Sequence, residues 1–197
     1  MRLPYTNLSP APNPAETQVI SETLTRRGTS GLLPLDLTLL HSPPITSGWN
    51  AFFGAIRTQT LLPADLLELA ICRIAVINSA HFEWTQHAPL ALAGGVTPQG
   101  LRAIRDSDDD GEWEKTGLTE KQRAVVGFAS ESTRDVRVSN ATFERVRGLF
   151  CDREMVEIAA AVAAYNCVSR FLVALDVGEG NSVEVKDYEI PGEGRGE

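Results

Sequence analysis

The chain has 197 residues, a formal net charge of −8, 43% hydrophobic and 22% charged residues. That is enough for one domain with a sizeable core, and the composition is that of an ordinary globular protein. The acidic balance excludes a nucleic-acid binder, which would show a basic patch.

No apolar run reaches the length of a membrane span, Ile158–Tyr165 being the longest candidate. Residues 1–14 are proline-rich and polar, contain one Arg and have no apolar core segment, so they do not form a secretory signal. They read as an N-terminal arm. The expected location is the cytoplasm, with no membrane and no nucleic acid as partner. Cys72, Cys151 and Cys167 are widely spaced and form no Cys-x-x-Cys pair, which fits reduced thiols.

Val19, Ile20 and Leu24 predict a first helix over 15–27, ended by Gly28. A short apolar helix follows over 35–41, stopped by Pro43-Pro44. Trp49, Phe52, Phe53 and Ile56 recur at helical spacing over 45–60. Pro63 opens the next helix, over 64–79, which is apolar almost all round and must be buried on several sides. Another runs from His81 to Ala93, bent by Pro89 and ended by Gly94-Gly95.

Thr97-Pro98 starts a short helix, and Asp106–Gly117 reads as a solvated, charged loop. A helix over 119–133 has Thr119 as N-cap and Gln122 at the capping-box position. Helices over 139–150 and 152–175 complete the set, and residues 177–197, rich in Gly and Glu, read as a mobile tail. With no alternating strand pattern, the fold class is all-α, one helical domain over 15–176. A short echo between Glu68-Leu-Ala-Ile and Glu157-Ile-Ala-Ala leaves open two similar helical halves.

The chemistry concentrates in His81-Phe82-Glu83-Trp84-Thr85-Gln86-His87 and in Glu68 of the preceding helix. Glu83 and His87 are four residues apart and share a helix face. A carboxylate beside an imidazole is a proton-handling pair, half of a metal site, or an exposed surface pair. Glu68 has Ile71, Cys72 and Ala75 on its own face, where an acid must be paired or neutral. Trp84 and Phe52 are candidates for an apolar pocket wall. His41 could line that pocket or simply end its helix. Arg170, on the last helix, is the cation placed most readily against a substrate carboxylate or against Glu68, a helix-end or subunit-interface salt bridge being its other role. A metal centre would require His41, Glu68, Glu83 and His87 to converge. Cys72 and Cys167 read as packing thiols.

The run Glu68-Leu-Ala-Ile-Cys-Arg-Ile-Ala-Val-Ile-Asn-Ser-Ala-His-Phe-Glu-Trp-Thr-Gln-His87-Ala-Pro-Leu-Ala-Leu-Ala-Gly-Gly-Val resembles the carboxymuconolactone decarboxylase family, which includes AhpD-like alkylhydroperoxidases. The resemblance covers roughly residues 35–106, and Tyr165–Asp176 looks like the ending of longer members. In the peroxidases an acid, a Cys-x-x-Cys pair and a later histidine relay protons and electrons. Glu68 and His87 fall on the acid and histidine positions, but Ala80 and Glu83 stand where the two cysteines would be. Thiol peroxidase chemistry, which needs the thiolate, is therefore not expected.

What the resemblance implies is a helical homotrimer or homohexamer acting on a small molecule, with fungal relatives in secondary metabolism. The expected activity is cofactor-independent, lyase-type acid–base chemistry: decarboxylation, dehydration or isomerisation of a small aromatic or polyketide-type compound. His87 would be the base or acid, Glu83 would orient it, and Glu68 would be the second proton carrier. A metal-dependent oxygenase using iron or zinc, and a non-catalytic small-molecule binder, are the alternatives.

Overall fold

The computed structural model describes residues 1–9 and 13–192, and within them the regular structure is helical, with no strand. The helices are α1 (Pro14–Arg27), α2 (Pro34–Leu39), α3 (Pro43–Thr58), α4 (Ala64–Ile77), α5 (His81–Ala93), α6 (Pro98–Asp106), α7 (Asp110–Lys115), α8 (Glu120–Asp135), α9 (Asn140–Arg147) and α10 (Asp152–Leu175).

Local signals set most of these boundaries. Asn13 caps α1 in a reciprocal capping box with Glu16, and Thr119 caps α8 in the same way with Gln122. Prolines open α1, α2, α3 and α6, where the missing N–H costs nothing. Pro43-Pro44 therefore starts a helix as well as ending the one before it.

The hub is α4, in which Leu66 through Val76 are all buried. A helix apolar on every side belongs in the interior. One face, with Leu67, Ile71 and Ile74, packs into a core built with α2, α3, α8 and α10. The other, with Leu69, Cys72, Ala75 and Val76, packs into a second core with α5, α6 and α7. The buried Arg73 is satisfied within this interior. It donates to Ser130 Oγ at 2.8 Å and to the carbonyls of Ile104 and Ser107, pairs with Asp108, and lies over the Trp113 ring. A buried guanidinium is tolerated only with its donors satisfied in this way.

Three expectations are corrected. The charged stretch 106–117 contains α7, because Asp109 accepts from Gly111 N at its start and Trp113 is drawn into the core. α10 is a 24-residue helix that has the length and apolarity of a membrane span, contrary to the sequence reading; here it is a core helix, burying Ile158, Val162, Tyr165, Val168 and Leu172.

The third correction concerns the segment after α10, expected to be mobile. Residues 177–192 pack back on α5 and α6, with Val177, Tyr188 and Ile190 buried. Trp84 Nε1 donates to the Glu189 carbonyl at 2.8 Å, and Arg105 donates to the Tyr188 carbonyl at 2.6 Å. Glycines permit the approach: a Cβ on Gly178, whose φ is +80°, would clash with Phe82, and one on Gly180 with His81. Composition alone could not separate glycine used for close packing from glycine used for flexibility. Residues 193–197 of the expected tail lie outside the described residues. At the other end, the described part of the arm is also tied down, Arg2 N donating to the Leu175 carbonyl and Thr6 N to that of Leu37.

Candidate active site

Four helices each contribute one polar side chain to a continuous, partly buried chain. Tyr165, in the middle of α10, accepts from Arg57 Nη1 through its hydroxyl at 2.9 Å. Arg57, in the last turn of α3, donates through Nη2 to Glu68 Oε1 at 3.1 Å. Glu68, on α4, accepts at its other oxygen from His87 Nδ1 on α5, at 2.5 Å. The rings of His87 and Tyr165 meet edge to face, 5.1 Å apart.

This chain ends at a cavity of about 420 Å³, lined among others by Leu33, Leu35, Trp49, Phe53, Arg57, Phe82, Glu83, His87, Leu90, Tyr165 and Val168. The volume lies at the small end of the ~300–1,000 Å³ of small-molecule sites, and the lining mixes apolar side chains with polar ones, Arg26, Arg27, Ser30, Thr58 and Gln86 among them.

The electrostatics are internally consistent. Burial alone would raise the Glu68 pKa, but the His87 hydrogen bond and charge, together with Arg57, outweigh it and hold the carboxyl below its ordinary value. Burial lowers the His87 pKa; Glu68 opposes this, while the charges of Arg57 and Arg27 add to it. The pair therefore rests as carboxylate and neutral imidazole. With the proton on Nδ1 bonded to Glu68, the lone pair is on Nε2, the nitrogen left for a molecule in the cavity. Burial pushes the Tyr165 hydroxyl up to about 12, so it stays a phenol.

Glu83 also lines the cavity, but its role differs from the expected one. It makes no hydrogen bond to His87: its carboxyl group is buried, and neither oxygen has a hydrogen-bond partner among the described residues. Desolvation raises its pKa well above the ordinary value, which favours the protonated, neutral carboxylic acid. The carboxylate that holds His87 is Glu68. Helical spacing placed Glu83 and His87 on one face, but the strong hydrogen bond crosses between helices.

The other candidates fall elsewhere. Trp84 is buried in the second core behind the cavity, and Phe52 is half exposed on the outer side of α3. The aromatic wall is formed by Trp49 and Phe53, the α3 neighbours of Phe52, stacked with centroids 4.5 Å apart. His41 is exposed and donates through Nε2 to the Pro4 carbonyl at 2.7 Å, outside the cavity. Arg170 is exposed and bonds Asn166 of its own helix; the cation against Glu68 is Arg57. The one sequence signal for Arg57 was a charge ending an otherwise apolar face, which also reads as a partner of the helix dipole. Glu157, the echo of Glu68, accepts from Leu61 N and Arg153, so the internal echo does not repeat the site. Cys167 is exposed, not packed, while Cys72 is fully buried with its thiol pKa pushed well up by desolvation.

A metal ion does not fit these residues. Among the described residues no three His, Cys, Asp or Glu side chains are grouped to hold one. Both Glu68 oxygens are already engaged, one of them by a guanidinium.

This helical architecture and cavity define an AhpD-like fold. Residues 43–116 match the model of the carboxymuconolactone decarboxylase family, so the resemblance read from the Glu68–His87 run holds. The segment contains Arg57, Glu68, Glu83 and His87, but not Tyr165. No curated protein matches the sequence.

Solved structures share the fold over nearly the whole chain. An alkylhydroperoxidase AhpD core protein, an uncharacterized peroxidase-related protein from Ralstonia eutropha, is 18% identical with a TM-score of 0.71, covering 95% of this chain and 97% of its own. A second peroxidase-related protein, from Silicibacter sp., is 19% identical with a TM-score of 0.69, covering 88% and 91%. The debrominase Bmp8, in a cysteine-to-alanine variant bound to 2,3,4-tribromopyrrole, is 19% identical with a TM-score of 0.68, covering 96% and 99%.

Proposed function

We propose that the chain is an enzyme that moves protons at carbon on a small, largely apolar molecule held in this cavity. His87 Nε2 is the general base, Glu68 fixes its tautomer and compensates the charge it gains, and Glu83 is the acid. The observation that carries this reading is the Tyr165–Arg57–Glu68–His87 chain, which holds the Nδ1 side of His87 and leaves Nε2 to the cavity.

The roles follow from charge. A neutral imidazole can take a proton, and the imidazolium so formed lies against an ionised carboxylate, which is the arrangement that stabilises it. Glu83 is neutral and can give a proton. In an isomerisation His87 takes a proton from one carbon and Glu83 delivers one to another. In a dehydration Glu83 protonates the departing hydroxyl. In a decarboxylation the carbanion left by CO₂ takes its proton from Glu83. Positioned groups of this kind contribute on the order of 10²–10⁴-fold each.

The family match supports an enzymatic role, and the debrominase neighbour, solved with a halogenated pyrrole, supports a small aromatic ring as the kind of body such a fold receives. Peroxidase chemistry by a cysteine pair is not part of the proposal, since Ala80 and Glu83 occupy the positions where the resemblance places the sulfurs.

The test is a screen of enolisable acids, β-hydroxy acids and conjugated lactones for CO₂ release, water loss or solvent-deuterium incorporation. Any activity found is then repeated with His87→Ala and Glu68→Gln. Loss of turnover in both with retained helicity supports the assignment; wild-type turnover in both sinks it. A compound that binds and is never altered would favour a binding protein.

A further inference from the structure

Two cations in the wall of the cavity are not used by the proton relay. Arg26 and Arg27, from the last turn of α1, both reach Asp36 on α2. Asp36 is 1% exposed, and Arg27 alone satisfies both of its oxygens, with Nε at 2.8 Å from Oδ2 and Nη2 at 2.9 Å from Oδ1. Arg26 adds a further hydrogen bond to Oδ1 at 3.0 Å and is steered by Asn50, which accepts from its Nε at 2.9 Å. Two guanidiniums, with side chains 18% and 19% exposed, thus share one carboxylate.

The rest of the lining does not cancel this excess. Arg57 is balanced by Glu68, His87 is neutral, and Glu83 keeps its proton. The cavity therefore carries one uncompensated positive charge, with the apolar side chains of Leu33, Leu35, Trp49 and Phe53 in the same lining. Holding an extra arginine out of water with no carboxylate of its own is costly. Structural pairing of Asp36 does not require it, whereas recognition of an anion does.

We propose that Arg26 and Arg27 form an anion subsite, and that the substrate is a small organic monoanion. Its charged group lies on the two guanidiniums and its apolar body lies against Trp49 and Phe53, with the reacting carbon at His87. The identity of the reacting end rests on the acid–base reading above; the anion subsite does not. A carboxylate held this way is a handle and not a leaving group, because the guanidiniums stabilise the charge on its oxygens, which release of neutral CO₂ would shift onto carbon. The subsite therefore favours isomerisation or dehydration of a monocarboxylate over its decarboxylation. Both arginines lie outside the segment that matches the family model, so this selectivity belongs to the α1 element of this chain.

The test is calorimetric titration of the full chain with cinnamate and with cinnamamide, which share a planar apolar body and differ in charge. The wild type is expected to bind cinnamate about tenfold or more tightly than the amide. Arg26→Gln leaves Arg27 to pair Asp36 one to one and should reduce the preference to about threefold or less, with helicity checked by circular dichroism. Equal affinities in the wild type overturn the proposal without recourse to any variant, and an undiminished preference in folded Arg26→Gln overturns the assignment to these residues. His87→Ala should keep the cinnamate preference. Turnover surviving in His87→Ala would sink the acid–base reading and leave the subsite standing.

Discussion

Replacing Glu68 by Gln tests the site most directly, because one atom change alters both of its interactions. The side chain keeps its shape, but its charge is lost from between Arg57 and His87. The amide no longer compensates an imidazolium, and an amide turned with its NH₂ toward His87 would favour the wrong tautomer. Turnover should fall by about 10²–10⁴-fold, because His87, the proton carrier, loses the group that fixes its tautomer and compensates its charge. The pH profile gives a second readout. Glu68 raises the His87 pKa against burial and against the charges of Arg57 and Arg27. Removing it lowers that pKa further, so the acid limb of kcat/KM should move to lower pH. Stability should fall as well, since Arg57 loses its ionised partner and keeps only neutral acceptors, an amide oxygen and the Tyr165 hydroxyl. Its side chain is 30% exposed, so water relieves part of the loss and about 1–3 kcal/mol is expected. For a domain of this size that is roughly 2–4 °C in Tm per kcal/mol. Purified variant and wild type would be compared by initial rates from pH 5 to 9 and by calorimetric melting. An acid limb that moves to higher pH, or a rate within about twofold of wild type, refutes the reasoning.

Other outcomes follow from the same geometry. Glu83 has a folded-state pKa raised above its unfolded value, so between the two the folded chain holds a proton the unfolded chain has lost, and stability falls as pH rises through that window. Glu83→Gln removes this dependence; its stability relative to wild type, from urea titrations at pH 5 and pH 8, should improve at the higher pH, and parallel shifts at both would contradict a neutral buried acid. His41→Ala and Phe52→Ala should leave turnover within about twofold, since both side chains face away from the cavity and surface changes cost within about 0.5 kcal/mol; a large loss in initial-rate assays would put them back in the site. Cys151 and Cys167 should react readily with a thiol reagent in the native protein while Cys72 reacts only on unfolding, read as two thiols against three. Trp84→Phe removes the hydrogen bond to Glu189 and should speed amide exchange over 183–190, measured by mass spectrometry; unchanged protection there would show that the segment is held by other contacts.

Much of the fold is legible in order along the chain. Asn13, Thr119 and the prolines at 14, 34, 43 and 98 mark helix starts through backbone chemistry that acts over one turn. The apolar surround of α4 announces a central helix, and Glu68 stands out there as an acid that must have partners. What was misread also has a common cause. Trp49, Phe52 and Phe53 lie close together on α3, and helical periodicity says which of them share a face but not which face meets the cavity. The glycines at 178 and 180 have one composition signature and two uses, and only the positions of His81 and Phe82 decide between them.

The sequence by itself therefore determined the helical class, most element boundaries, the family of the 43–116 segment, and Glu68 and His87 as the pair to watch. Those properties are local or carried by a contiguous motif. Tertiary structure decided that Glu68 and not Glu83 holds His87, that Arg57 and Tyr165 complete the chain, and that Arg26 and Arg27 bring a charge to the cavity wall. Those facts depend on how α1, α3, α4, α5 and α10 are turned and offset against one another. That is set by the packing of two cores around α4, not by spacing within any one helix.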